Sequence, residues 1–208
     1  MIALIDYGAG NLTSVRKALS ALGADFVTPR SAVDLTAARG IIVPGVGHFD
    51  ATRAIDGEWR RAIHAAMQRG AALLGICLGM QWLFEGSVEA PGVAGFAAFE
   101  GICGRLPEKS TQKVKIDPTP LLKIPHVGWN SLHQPHSTAL LEGIEQESQV
   151  YFTHSYVAPP TAHAASTTTY GVTFTSAVER GRIAGVQFHP EKSGDVGLRI
   201  LRNWINAV

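Results

Sequence analysis

Short apolar runs alternate with helical stretches along the first part of the chain. The runs at 2–6, 40–43 and 71–76 predict three buried strands. Apolar residues recur at helical spacing over 12–22 and 50–69, which predicts two amphipathic helices. A third helix is expected to follow the last of these runs. This alternation predicts an α/β fold: a mostly parallel sheet with helices on both faces.

The second half of the chain is richer in strand-forming residues. The segments 149–157, 170–178 and 182–188 read as strands, and the last two are joined by Glu179-Arg180-Gly181, which predicts a hairpin. A final helix is expected over 195–206. The stretch 86–123 carries no motif that predicts a function. No internal repeat or linker divides the chain, so we expect one domain over residues 1–208.

Composition excludes several classes of protein. The 208 residues are 46 % hydrophobic and carry a formal net charge of +1, which argues against disorder and against a general affinity for nucleic acid. The first apolar run lacks a preceding basic stretch and ends at Asp6, so no signal peptide is expected. Two cysteines, Cys77 and Cys103, are too few for a disulfide scaffold. We therefore expect a soluble cytoplasmic protein.

The first strong chemical signal is a cysteine at the end of a predicted strand. The sequence Gly75-Ile76-Cys77-Leu78-Gly79 has the layout of a nucleophile elbow, with Cys in place of Ser. The flanking glycines allow strand and helix to approach closely, and the following helix N-terminus favours a thiolate. The backbone N–H of Leu78 is expected to face a developing oxyanion. An ordinary buried cysteine is the alternative.

A possible base for this thiol lies near the end of the chain, in Gln187-Phe188-His189-Pro190-Glu191. A chain extended through Pro190 would put His189 and Glu191 on the same side. The carboxylate could then orient the imidazole while the imidazole takes the thiol proton. The pattern therefore predicts a catalytic Cys77–His189–Glu191 triad.

These two motifs resemble those of the class I (triad-type) glutamine amidotransferases. Within that family, the chain resembles the glutaminase subunits of imidazole glycerol phosphate synthase, on Lys192 and on the blocks 6–11, 44–49, 125–130 and 151–156. The resemblance implies a flavodoxin-like sheet and a heterodimer with a barrel-shaped cyclase subunit. It implies no metal and no cofactor.

The resemblance also implies a reaction. Cys77 attacks the glutamine side-chain amide, His189 protonates the departing ammonia, and water hydrolyses the γ-glutamyl thioester. The oxyanion is expected to be held by Leu78 N–H and by Gly47 N–H, the latter after a reorientation near Gly45-Val46. The residues expected to hold glutamine are Gly45, Gln81, Ser155 and Tyr156. The ammonia passes to the cyclase, which makes imidazole glycerol phosphate in histidine biosynthesis.

Four residues are candidates for the contact with the cyclase: Asn11, Trp129, Asn130 and Lys192. Core packing is the alternative for Trp129, and a solvated surface position is the alternative for Lys192. Loops at the carboxyl end of the sheet are expected to gather all four around the site. Cys103 has no role that the family suggests.

Three other functions compete with this interpretation. A cysteine peptidase, or the glutaminase of a different complex, could use the same triad. A non-catalytic binding module could share the fold, although it would be expected to lack a triad member. A dinucleotide-binding protein is disfavoured because Thr13 stands where the third glycine after Gly8 and Gly10 is needed. A Cys77→Ala substitution separates the catalytic from the non-catalytic class.

Overall fold

The computed structural model describes residues 1–55, 57–110, 121–134 and 136–208. Within them, short strands make up most of the regular structure. In chain order they are β1 (Ile2–Leu4), β2 (Phe26–Val27), β3 (Gly40–Val43), β4 (Ala72–Ile76), β5 (Gly86–Ser87), β6 (Ile102–Arg105), β7 (His126–Ser131), β8 (Gln149–His154), β9 (Tyr156–Val157), β10 (Ala164–Tyr170), β11 (Val172–Arg180) and β12 (Ile183–Val186).

A seven-stranded sheet with the order β10-β11-β12-β4-β3-β1-β2 forms the centre of the structure. Its five strands from β12 to β2 pair in parallel, which confirms the prediction from the N-terminal pattern. The strands β10, β11 and β12 add an antiparallel edge, and the β11–β12 pair is the predicted hairpin. A small sheet β5-β6-β9 and a β7–β8 pair lie outside it.

The helices are α1 (Leu12–Ala21), α2 (Gly57–Gln68), α3 (Leu78–Trp82) and α4 (Gly194–Asn206). The prediction of one helix over 50–69 is wrong, because Phe49–Ala54 forms a 3-10 helix before α2 begins. The buried Thr52 hydroxyl there donates to Phe49 O, and this side-chain bond competes with regular helix formation. The termination of α1 before Gly23 and the C-terminal helix agree with the sequence pattern.

Successive side chains along the strands point to opposite faces of the sheet, and helices pack against both faces. Ala3, Ile41 and Leu73 point towards α2, and they belong to one buried apolar cluster with Ile63. Their neighbours along the same strands, together with α1 and α4, form the second cluster, which includes Ile2, Leu4, Ile42, Leu74, Val15, Leu19, Ile200 and Trp204. The two clusters cover opposite faces, as an α/β fold requires.

Two parts of the chain differ from the expectation. The block 126–131 is a strand, β7, and not a loop at the end of the sheet. The strand β10 was not predicted, because its polar run of Ser and Thr hides the alternation. The stretch 86–123, which carries no motif, contains β5 and β6, whereas 111–120 lie outside the described residues.

None of the helices in the described part of the chain combines the length and hydropathy that a membrane span needs.

Candidate active site

The sharp turn from β4 into α3 holds Cys77 in a backbone conformation that L-residues rarely adopt. Its φ is 54° and its ψ is −106°. The two flanking glycines are required by space, because a Cβ on Gly79 would overlap the Val43 carbonyl oxygen and a Cβ on Gly75 would meet the Gly79 backbone. The Cys77 N–H donates to Val186 O at 2.7 Å, which ties the elbow to the neighbouring strand. This is the nucleophile elbow that the sequence predicts.

The same neighbouring strand delivers the predicted base. Beyond the end of β12, which is Val186, His189 Nδ1 lies 2.8 Å from Glu191 Oε1, and both side chains are almost completely buried. The residues from Pro190 to Lys192 form a 3-10 turn, so the expectation of an extended chain through Pro190 is wrong. The tight turn still brings the imidazole and the carboxylate together, because Pro at the first helical position is compatible with it.

The electrostatic environment of His189 favours its protonated form. Burial lowers its pKa, but the nearby Cys77 and Glu191 offset this by more and raise it to about 10. The Nε2 atom is buried and has no hydrogen-bond partner among the described residues. The imidazole therefore has one nitrogen held by a carboxylate and one nitrogen free for a reacting group.

A hydrogen-bonded chain of amides lies behind the thiol. Gln81 Nε2 donates to Tyr156 O at 2.9 Å and to Gln187 Oε1 at 3.1 Å. This fixes the orientation of the Gln187 amide, whose Nε2 then donates to Cys77 Sγ at 3.6 Å. Gln81 consequently uses both of its donors within the protein, and its carbonyl oxygen is the group left for a ligand.

A cavity of about 330 Å³ opens beside the thiol. It is lined by Cys77 and by most of the residues that the sequence assigns to glutamine and to the oxyanion: Gly47, Leu78, Gln81, Ser155 and Tyr156. Gly45 is buried behind the cavity. Glu89, which sequence reasoning missed, also lines the cavity, and its Oε2 accepts the Phe49 N–H at 2.8 Å.

The expected oxyanion donor is already occupied. Leu78 N–H donates to Gly45 O at 3.3 Å, so a carbonyl stands where an oxyanion would be held. Gly47, with φ +110°, follows two residues later, where the loop becomes exposed. The helix α3 has only five residues, so its dipole is small and the elbow acts mainly through geometry.

Comparison with known proteins agrees with this geometry. The sequence model of the family "Glutamine amidotransferase class-I" matches residues 3–207. The chain belongs to this family. As a glutamine amidotransferase, it also has close full-length relatives, each named imidazole glycerol phosphate synthase subunit HisH. The relative from Moorella thermoacetica is 42 % identical over 98 % of this chain and 93 % of its own length. The relative from Methanothermobacter thermautotrophicus is 41 % identical over 100 % of this chain and 99 % of its own length.

Solved structures share the fold of this glutamine amidotransferase. A crystal structure of a glutamine amidotransferase superimposes with a TM-score of 0.70 at 18 % identity, covering 100 % of both chains. A structure of PurLQS from Thermotoga maritima gives the same TM-score and identity over 99 % of this chain and 97 % of the other. These likenesses confirm the α/β fold of the family.

The four predicted contact residues of this glutamine amidotransferase differ in how accessible they are. Trp129 is 56 % exposed on β7, and Asn11 and Lys192 are exposed as well. Asn11 also caps α1, because its side chain accepts from Ser14 N. Asn130 is half-buried, and its amide donates to Thr169 O at 3.0 Å. Of the two candidates on β7, Trp129 and Asn130, Trp129 is therefore the one that is available to another protein.

Two buried histidines support the far wall of the cavity. His154, which lines it, has Nε2 3.1 Å from His126 Nδ1, and its own Nδ1 is 3.0 Å from Tyr156 O. Burial lowers the pKa of His126 to about 4 and that of His154 to about 3. Both are neutral near pH 7, so His189 is the cationic imidazole of the site. Their sequence blocks resemble the family, but no spacing rule predicts that they pair.

Proposed function

We propose that this chain is the glutaminase subunit of an imidazole glycerol phosphate synthase. It hydrolyses glutamine to glutamate and ammonia and supplies the ammonia to a cyclase subunit, which makes imidazole glycerol phosphate and aminoimidazole carboxamide ribonucleotide. The observation that carries the proposal is the elbow cysteine beside the buried His189–Glu191 pair, in a chain with full-length HisH relatives. A fold does not by itself define the reaction that a protein catalyses, but this chain also carries the residues that the proposed reaction requires, Cys77, His189 and Glu191.

The reaction follows from the groups around the thiol. Cys77 Sγ attacks the side-chain carbonyl carbon of glutamine, and the amide nitrogen leaves as ammonia with a proton from His189. A γ-glutamyl thioester then remains on Cys77 until water, deprotonated by the same imidazole, releases glutamate. The role of Glu191 is to hold His189 in the tautomer that presents Nε2 to these atoms.

Glutamine recognition rests on polar groups of the cavity wall. The free carbonyl oxygen of Gln81 and the carboxylate of Glu89 are suited to the α-ammonium group, because both accept hydrogen bonds and Glu89 adds a negative charge. The segment Ser155-Tyr156 lines the opposite side and is suited to the rest of the amino acid. Gly45 contributes backbone only, since it carries no side chain.

The oxyanion hole is proposed to open by a rotation of the Gly45–Val46 peptide. The Gly45 carbonyl occupies Leu78 N–H in the free chain. The Val46 N–H belongs to the same peptide and points the opposite way from this carbonyl, so a rotation exchanges one for the other. This favours Val46 N–H as the second donor. Gly45, whose ψ changes in the rotation, is the glycine that allows it. On this proposal Val46 N–H replaces Gly47 N–H, the donor predicted from the sequence.

The partner surface is proposed to include Trp129, Asn11 and Lys192. An exposed tryptophan is a frequent anchor of protein interfaces, and Lys192 follows the triad directly, with Nζ 5.9 Å from the Tyr151 ring centre. We expect Lys192→Ala to weaken binding to the cyclase about threefold to tenfold and to leave the rate of thiol alkylation unchanged. Titration with the cyclase measures this, and Arg202→Ala on α4 is the control.

A cytoplasmic location and a single domain over residues 1–208 are part of the proposal. Both cysteines are free in the structure, and a catalytic thiol is best preserved in a reducing compartment. The family match over residues 3–207 supports the single domain.

The deciding experiment measures ammonia released from glutamine by the chain alone, with a matching cyclase subunit, and with the cyclase and its nucleotide ligand. Release that needs Cys77 and rises strongly with the liganded partner is expected, because the oxyanion donor is blocked in the free chain. Cys77→Ala should retain fold and partner binding but lose turnover, and Cys103→Ala is its control. Fast turnover by the isolated chain would contradict the blocked oxyanion hole. A complete lack of Cys77-dependent release would overturn the glutaminase assignment.

A further inference from the structure

One buried hydroxyl, next to the loop that contains Gly45 and Val46, takes no part in the proposed mechanism. The Tyr7 hydroxyl lies in the loop after β1 and has no hydrogen-bond partner among the described residues. The hydroxyl oxygen is buried, so solvent does not reach it. Buried hydroxyls are nearly always paired in native proteins, so this exception calls for an explanation.

The position of this hydroxyl connects it with one particular peptide. A Cβ on Gly45 would overlap the Tyr7 hydroxyl and would lie 3.0 Å from Leu78 Cβ. On another side, Gly10 packs against the Gly45 backbone, since its own Cβ would be 3.5 Å from Gly45 Cα. Gly45 is thus enclosed by Tyr7, Leu78 and Gly10, and it is the residue whose carbonyl blocks the oxyanion donor.

Without a contact between Tyr7 and Gly45, each form of the loop would leave one buried polar group unpaired. In the closed form, Leu78 N–H and Gly45 O satisfy each other and the Tyr7 hydroxyl is unpaired. In the open form, Leu78 N–H and Val46 N–H are used by the oxyanion, and the buried Gly45 carbonyl needs a new donor. An unpaired buried carbonyl would penalise that form.

We propose that Tyr7 is a positioning residue whose hydroxyl donates to the Gly45 carbonyl once the Gly45–Val46 peptide has rotated, and so stabilises the open oxyanion hole. This inference rests on the proposed function, because it concerns the same rotation. The hydroxyl touches neither glutamine nor the thioester and acts only through Gly45. Each buried polar group then has a partner in the open form.

The state of the hydroxyl fits this role. Burial, and secondarily the nearby Cys77, raise the pKa of Tyr7 above its ordinary value. The group therefore remains a neutral hydroxyl over the working range of a cytoplasmic enzyme and keeps its proton for donation. The ring packs against the apolar cluster under α2, which holds the hydroxyl near Gly45 in both forms of the loop.

The test is Tyr7→Phe, which removes the hydroxyl and keeps the ring. In the complex with the cyclase and its nucleotide ligand, kcat for ammonia release is expected to fall roughly tenfold with KM for glutamine unchanged, because only the open form loses a hydrogen bond. The melting temperature of the free chain should stay the same or rise, since an unpaired polar group has been removed. The control is Tyr170→Phe, whose hydroxyl donates to Lys123 O at 2.7 Å and should not affect kcat.

A second substitution separates donation from packing. With 4-aminophenylalanine at position 7, a donor is restored at the same place, and kcat should recover most of its loss. A Tyr7→Phe complex as active as wild type would overturn the proposal, as would a lower melting temperature combined with no recovery by the amino group. If the wild-type complex itself released no ammonia through Cys77, the proposed function would fail instead, so the two failures are distinct.

Discussion

The two halves of the candidate site are in different states. On the nucleophile side, Cys77 is held in its strained turn and His189 is already bound to Glu191 at 2.8 Å. On the oxyanion side, the donor Leu78 N–H is taken by the carbonyl of Gly45. One half is thus assembled in the free chain, whereas the other is blocked by the protein's own backbone.

The difference lies in what holds each half. The elbow is fixed by buried strands and by glycines whose space is filled by backbone, so it cannot change without disturbing the core. The blocking carbonyl belongs to a short loop that becomes exposed at Gly47, and one N–H···O bond holds it. On the proposed function, control of the reaction is placed where a conformational change costs least, and a partner can provide it without rebuilding the triad.

Gly79→Ala should damage the assembled half most severely. The added Cβ meets the Val43 carbonyl, which cannot move without distorting β3, so we expect a loss of about 3 kcal/mol in unfolding free energy and no measurable turnover. Denaturant unfolding measures the first and ammonia release measures the second. Gly104→Ala is the matched control, because nothing lies within 4 Å of a Cβ there. Equal stability of the two variants would show that the elbow is not closely packed.

Much of the assembled half could be predicted from the sequence, for a physical reason. An apolar run ending in Gly-x-Cys-x-Gly admits few backbone solutions, and the parallel register of β12 beside β4 brings His189 to the same edge. The apolar spacing over 50–69 wrongly predicted a single helix, because this spacing does not reveal the hydrogen bond of the Thr52 side chain that favours a 3-10 helix. The pairing of His189 with Glu191 was expected, but through an extended chain and not through a 3-10 turn.

The family resemblance implied a reorientation near Gly45-Val46, but the group that occupies Leu78 N–H could not be predicted, because this contact joins distant segments. The sequence near Gly45 indicates a flexible loop but not the direction of its carbonyl. Glu89 stands in a stretch without a motif, and only its place beside the cavity reveals a possible role. A carboxylate among apolar residues, as in Ser87-Val88-Glu89-Ala90, is a signal, but a weak one without the fold.

Glu191→Gln should lower activity while leaving the arrangement of the two halves intact. The amide can no longer hold His189 as a carboxylate does, so kcat is expected to fall about 10²–10⁴-fold. The same loss should appear with and without the cyclase, because the defect lies on the nucleophile side. A variant that loses activity only in the complex would mean that Glu191 acts on the oxyanion half. Steady-state ammonia release, with Glu108→Gln as an exposed control, measures this.

Stability is also expected to depend on pH, in a gradual way and without the abrupt loss expected of the two variants above. The pKa of His189 is raised to about 10, so its contribution is fully present below about 6.5, the usual histidine value, and is lost as pH rises towards 10. His126 and His154 have lowered pKa values of about 4 and about 3, so their neutral pairing stabilises the fold above about 6.5, and this contribution is lost as pH falls. Unfolding free energy should therefore decline on both sides of neutrality.

A double variant, His189→Gln with Glu191→Gln, isolates the alkaline decline. It removes the imidazole together with the carboxylate that pairs with it, so the loss between about pH 6.5 and pH 10 should become shallower. The acid decline should be unchanged, because the histidine pair behind the cavity is intact. Denaturant unfolding at a series of pH values measures both limbs. An alkaline limb as steep as in the wild type would show that His189 is not held as a cation in the free chain, and that the assembled half becomes charged only when glutamine binds.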